Sequence, residues 1–115
     1  MERHTMKLQP SPMKMIREGK KTIELRLYDK KRKKIAVGDI IKFVNAQDIT
    51  DTLCVAVKEL FVFDSFEELY KNLPLLECGY TQDNVDTASP CDMELYYSKQ
   101  EQNKYGVIGI KISVI

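Results

Sequence analysis

The stretch GKKTIELRLYDKKRKKIAVGD, residues 19–39, decides the reading of this chain. It sets eight Lys or Arg around a short alternating run, with Glu24 and Asp29 as its carboxylates before the closing Asp39. Within it, KTIELRL alternates cleanly. Ile23, Leu25 and Leu27 fall on one face, and Thr22, Glu24 and Arg26 on the other. That is the pattern of a half-buried strand. Gly38-Asp39 then marks a turn into another strand, Ile40–Val44.

Outward from this stretch, the N-terminal HTMKLQ (4–9) predicts a first strand. SPMKMIREG (11–19) predicts a short helix, with Ser11 as N-cap, Pro12 at the first helical position and Gly19 as the stop. Met13, Met15 and Ile16 form its core-filling group. Downstream, DTLCVAVKELFVF (51–63) alternates as a long strand. DSFEELYKNL follows as a helix, with Ser65 and Glu68 in capping-box positions and an apolar stripe of Phe66, Leu69, Tyr70 and Leu73. Residues 74–88 are irregular. SPCDMELYYS predicts a third short helix capped by Ser89. YGVIGIKISVI closes the chain as a strand, opened by Tyr105, with Ile108, Ile110, Ile112 and Val114 on one face.

Four to six strands and at least three short helices in irregular order argue for an α+β fold rather than a parallel α/β sheet. The expected architecture is a single domain over residues 1–115. It is a small, mostly antiparallel β-barrel with about three short flanking helices.

Composition bounds the function. With 115 residues, 43% hydrophobic and 30% charged, the chain reads as an ordinary globular domain with one core. No apolar run reaches the roughly 20 residues a membrane helix needs. MERHTMKLQP lacks the apolar stretch of a signal peptide, so a cytoplasmic location is expected. Cys54, Cys78 and Cys91 are odd in number and unclustered, which predicts free thiols. His4 is the only histidine. No metal is expected, because no clustered ligand set exists, and no cofactor is expected either.

The net charge of +1 hides an asymmetry. Residues 1–44 hold thirteen Lys or Arg against five Asp or Glu, and residues 45–115 hold five against twelve. A basic face suggests an anionic partner; the alternative is that the two halves pack together and neutralise each other.

The string Gly19-x-Lys21-x-x-Glu24-x-Arg26 follows a short helix and precedes KIAVGDIIKF, and the chain ends on YGVIGIKI. Across essentially its whole length it resembles the ASCH domain family (activating signal cointegrator homology), a branch of the PUA-like β-barrels. The resemblance implies a barrel with a cleft whose opening the motif residues line. It also implies a link to RNA or modified bases. Some relatives are small hydrolases, including ones that remove the acetyl group from N4-acetylcytidine. In those relatives the motif lysine works with a threonine three residues later and a downstream carboxylate. Here Lys21 matches, but the threonine position is Glu24, which takes the hydroxyl nucleophile out of its place.

The residues themselves suit such a site. Arg26 offers a planar fork of donors for phosphate or a base edge. Lys21 offers a compact charge, and Glu24 can neutralise either or act as base on a water. Lys21 has the opposite parity in a regular strand, so for it to join the other two either the chain is still leaving the helix there, which the nearness of Gly19 favours, or a bulge intervenes. Glu77, or secondarily Glu94, is the candidate downstream carboxylate. Lys20, Thr22, Tyr28 and Tyr97 are candidate ligand contacts, the tyrosines as stacking platforms. Lys30, Lys31, Arg32, Lys33 and Lys34 form a basic block, either a phosphate-binding strip or a plain solvated loop.

Two functions from different classes follow. One is a binding module for single-stranded RNA or a modified nucleoside or nucleotide. The other is a hydrolase, an amidohydrolase on an acylated nucleoside or a weak ribonuclease, using Lys21, Glu24 and Glu77. A protein-interaction domain using the acidic half is a third reading.

Overall fold

The computed structural model describes residues 1–115. Five strands form one mixed sheet, curled into a half-barrel. They are β1 (Arg3–Leu8), β2 (Ile23–Leu27), β3 (Ile40–Asn45), β4 (Asp48–Phe63) and β5 (Val107–Val114). The spatial order is β1-β3-β4-β5-β2. Only β1 and β3 run parallel; the other three pairs are antiparallel. No helix is long and apolar enough to cross a membrane.

The curl originates in β4. Its first half pairs with β3 and its second half with β5, and the two ladders overlap only around Val55–Val57. The register with β5 shifts between Val57 and Glu59. A bulge bends its strand and increases local twist, so the 16-residue β4 turns the sheet through a corner. The two outer strands, β1 and β2, are thereby brought round toward each other.

Helix α1 (Pro10–Arg17) follows β1. Its first residue is Pro10, two positions earlier than a Ser11 cap would give, and Gln9 is the N-cap without a side-chain bond. Pro10 fits because it lacks an N–H that would be unpaired and already holds a helical φ. Gly19 ends the helix as expected, at φ +75°. The Gly19 N–H bonds the Ile16 carbonyl and the Lys20 N–H the Met15 carbonyl. That is a Schellman pair, which needs a left-handed residue where glycine pays no Cβ penalty.

Helix α2 (Phe66–Asn72) starts as read, with the Ser65 hydroxyl accepting from the Glu68 N–H. The predicted third helix is a 3-10 helix, Pro90–Leu95, whose cap is a reciprocal Ser89–Asp92 box. Helix α3 (Lys99–Tyr105) was not expected. Its signal is SKQE, a Ser98–Glu101 capping box. Tyr105 therefore closes a helix instead of opening β5.

Two apolar clusters sit on opposite faces of the sheet. The larger fills the half-barrel: Met6, Ile41, Phe43, Val55, Val57, Ile108, Ile110 and Ile112, covered by Met13 and Ile16 of α1. The smaller joins Ile23, Leu25 and Leu27 of β2 to Phe66 and Leu69 of α2, with Cys78 and Met93. Each fully buried large side chain contributes about 1.5–3 kcal/mol. The consequence for β2 is that both its faces are covered. In the β2–β5 register Glu24 stands opposite Ile110 and Arg26 opposite Ile108. Directly opposed residues share a face, so the polar face of β2 looks into the half-barrel.

Candidate functional site

A cleft of about 630 Å³ opens where the half-barrel is incomplete. Its walls come from the end of β1, the start of α1, the β2 face of Glu24 and Arg26, and the segment from Cys78 to Tyr97. Lys21, Glu24 and Arg26 converge in it. Lys21 Nζ lies 2.7 Å from Glu24 Oε1, and Arg26 Nε donates to Glu24 Oε2 across 2.8 Å. The three side chains are 11%, 4% and 13% exposed respectively. Lys21 reaches the group because the chain is still leaving α1: its N–H bonds the Met15 carbonyl, and β2 begins only at Ile23.

A buried carboxylate is costly unless paired. Burial pushes the Glu24 carboxyl up, but the Lys21 and Arg26 charges and hydrogen bonds outweigh it and hold it below the usual range. Burial likewise works against the Arg26 charge, and Glu24 overcomes it. The cluster carries a net charge of +1 when all three groups are ionised. Glu24 has both oxygens engaged. Lys21 and Arg26 keep N–H groups to spare, since an ammonium has three and a guanidinium five.

Arg26 makes one further bond. Its Nη2 donates to the Lys7 carbonyl across 2.7 Å. Lys31 Nζ donates to the Thr5 carbonyl, also across 2.7 Å. Even-numbered carbonyls of β1 face β3, as Glu2 and Leu8 show by bonding Ile40 and Ala46. Thr5 and Lys7 therefore face the free edge of β1. Two cationic side chains close the seam that strand pairing leaves open, and they bring the basic loop alongside the cleft.

The structure places the remaining candidates as follows. Thr22 and Glu77 bond each other, Oγ1 to Oε1 at 2.8 Å, and the Thr22 N–H bonds the Glu77 carbonyl. Glu77 also lies 3.9 Å from Lys111, and neither Thr22 nor Glu77 lines the cleft. Glu94 is 3.9 Å from Lys99 and is likewise outside it. Lys20 is exposed, 3.5 Å from Glu18. Tyr28 packs against the larger core with Lys33 over its ring at 5.5 Å, away from the cleft. Tyr97 does line the cleft, its ring stacked on Phe66 at 6.2 Å. The basic block forms a 3-10 turn, Arg32–Lys34, in which Asp29 binds both the Arg32 N–H and its guanidinium. Lys30 and Lys34 are exposed.

Sequence reasoning missed part of the cleft. Tyr70, Tyr80, Asp92, Met93 and Tyr96 line it, and none was a candidate. Tyr70 reads as one more member of the apolar stripe of α2, and residues 78–92 carry no periodic signal that fixes where they lie. Cys78 also lines it, but burial pushes its thiol up to about 12 against the pull of Lys21, so it is a protonated wall residue at neutral pH.

Comparison with known proteins bears on this arrangement. The ASCH domain family model matches residues 6–115. No curated protein matches the sequence. The crystal structure of hypothetical protein PH0355 superposes at TM-score 0.82 with 32% identity, covering 100% of both chains. The solution structure of protein PF0455 from Pyrococcus furiosus gives 0.74 with 31% identity, covering 100% of this chain and 98% of that one. ASCH from Zymomonas mobilis gives 0.63 at 15% identity over 96% of this chain and 68% of its own, a likeness of fold alone.

Proposed function

This chain belongs to the ASCH domain family, and from that premise we propose that it binds single-stranded RNA or a modified nucleotide by taking one base into the cleft. The observation that carries the reading is the buried Lys21–Glu24–Arg26 cluster on the wall of a cleft of about 630 Å³. Its surplus charge is positive and its unused groups are N–H donors. It suits a ligand rich in acceptors, such as base carbonyls, ring nitrogens and phosphate oxygens. Tyr96, exposed at the rim beside Tyr97, supplies a face for stacking. Thr5 and Lys7 are two residues apart, about 7 Å along the strand. Lys31 at the first and Arg26 at the second thus set the basic loop next to the cleft, where a phosphate chain leaving it would run.

The hydrolase reading asks Glu24 to take a proton from water. Both of its oxygens are held by cations and its carboxyl is held low, which makes it a weak base. Thr22 and Glu77 spend their groups on each other. These facts favour binding over turnover.

Titration of the full chain with short single-stranded RNA at 50 and 200 mM salt tests the reading. Affinity falls with salt, and Lys21→Ala weakens binding by roughly tenfold, the loss of one charge-assisted contact. No binding to RNA or nucleotides, or binding indifferent to Lys21, overturns it. Mass spectrometry of modified nucleosides after incubation detects any hydrolysis; turnover abolished by Lys21→Ala in a folded chain would establish the enzyme instead.

A further inference from the structure

The cleft carries a second polar group. Tyr70 on α2, Tyr80 and Asp92 all line it, and they form one hydrogen-bonded chain. Tyr80 Oη donates to Asp92 Oδ2 across 2.7 Å. The Tyr70 and Tyr80 hydroxyl oxygens are also 2.7 Å apart. The direction of this second bond follows from counting hydrogens. A phenol has one, and an ionised carboxylate has none. Tyr80 spends its hydrogen on Asp92, so Tyr70 must donate to Tyr80. Both phenol hydrogens are committed within the chain, and they run toward Asp92.

What this chain has left for a ligand is lone pairs. They are on the Tyr70 oxygen and on Asp92 Oδ1, which takes no hydrogen bond from the protein. The Tyr70 ring is held in place edge-on by Phe66 at 6.5 Å and by Tyr80 at 5.9 Å. The Asp92 carboxylate is anchored by the Ser89 N–H at 3.1 Å. One cleft therefore holds a group that only donates, Lys21 with Arg26, and a group that only accepts.

We propose that Tyr70, Tyr80 and Asp92 are specificity-determining residues that select bases carrying an exocyclic amino group. The inference rests on the base-binding reading above and extends it. A base of this kind presents ring nitrogens or a carbonyl to the cationic group and an amino N–H to the acceptor group. A carbonyl in place of the amino group would set two oxygens against each other with no hydrogen between them. Desolvated acceptors left unpaired in this way cost more than the hydrogen bond gains.

Calorimetric titration of the full chain with two matched pairs of 5′-monophosphates tests this. Cytidine against uridine and adenosine against inosine each exchange an amino group for a carbonyl, with the accompanying ring proton. Tyr70 and Tyr80 are half-buried and Asp92 is exposed in the free chain, so the base itself covers them on binding. The amino member of each pair binds about tenfold more tightly, the cost of one polar contact left mismatched beneath the base. Tyr80→Phe removes the acceptor of the Tyr70 hydrogen and frees that hydroxyl to donate to a carbonyl. In this variant, uridine and inosine monophosphate gain affinity and the discrimination shrinks to about twofold, the residue of a hydroxyl that can turn either way. A merely structural Tyr80 would instead weaken all four ligands alike. Equal affinity within each pair, abolished by Lys21→Ala, overturns the selection and leaves base binding intact. Undiminished discrimination in folded Tyr80→Phe overturns the role of the chain. Failure of all four to bind removes both readings together. If Tyr80→Phe does not fold, as judged by its NMR spectrum, the wild-type pair comparison decides.

Discussion

The Arg26 guanidinium donates to the Lys7 carbonyl across 2.7 Å, and in doing so joins the two strands at opposite ends of the sheet order. The same side chain bonds Glu24 through Nε. One residue thus closes the half-barrel and organises the polar wall of the cleft. Closure of the sheet and the geometry of the cleft wall are coupled here through a single guanidinium.

Arg26→Leu removes one partner of a buried carboxylate and uncaps a strand edge. Glu24 keeps the Lys21 ammonium at 2.7 Å, so we expect a loss of about 1.5–3 kcal/mol, the usual cost of one hydrogen bond to a charged group. Chemical denaturation checks it. Adding Glu24→Gln to Arg26→Leu deepens the loss, because the largely buried Lys21 ammonium then has no carboxylate beside it. A double variant as stable as Arg26→Leu alone would show that the seam bond to Lys7, not the buried charge cluster, carries the energy.

Acid sensitivity follows from two carboxylates. Asp39 accepts the Glu2 N–H, a contact from His4 and the Ala36 N–H, and is held at about 2. Glu24 is also held low, by Lys21 and Arg26 against the opposing effect of burial. With native values depressed, the unfolded chain binds more protons between the native and ordinary values. Stability therefore rises with pH in that window. These contributions are complete above the ordinary carboxylate range and are lost as pH falls toward 2. Thermal unfolding midpoints should be flat above about pH 5 and fall steeply below about pH 4. Asp39→Asn should lower the midpoint at neutral pH and flatten the acid limb.

Gly109 marks a tight contact in β5. A Cβ built there would lie 2.7 Å from Leu73 Cδ1 and 3.3 Å from Ile23 Cγ2. Gly109→Ala therefore forces Leu73 or the strand to shift and destabilises by about 1–3 kcal/mol, the range for overpacking. Gly109→Ala combined with Leu73→Ala should regain part of that, as read from denaturation midpoints.

The basic loop divides by partner. Lys31 and Arg32 are tied to Thr5 and Asp29, while Lys30 and Lys34 are exposed. Lys30→Ala and Lys34→Ala should each weaken RNA binding across sequences and lower the slope of log affinity against log salt by about 0.7, as expected for one phosphate contact with a single strand. Neither should change the unfolding midpoint measurably. Fluorescence anisotropy over a salt series measures the first, and thermal melts the second.

Much of this was written into local sequence. The alternation in 21–27 gives the strand and puts Glu24 and Arg26 on one face. Gly19 ends α1 because a left-handed residue is required there. Ser65 and Ser89 start their helices because a short oxygen side chain can cap free N–H groups. Such signals involve neighbours within a few residues, and a chain carries them wherever it folds. What only the tertiary structure decided is which face of β2 is buried. Alternation predicts one wet face, yet the bend of β4 rolls both into the interior and turns an ordinary surface ion pair into a buried three-charge cluster. The pairing of Thr22 with Glu77 and the chain from Tyr70 through Tyr80 to Asp92 were equally out of reach. They join residues 55, 10 and 12 positions apart through turns without periodicity. Their placement depends on how the whole chain packs over the open side of the half-barrel, and no local propensity encodes that.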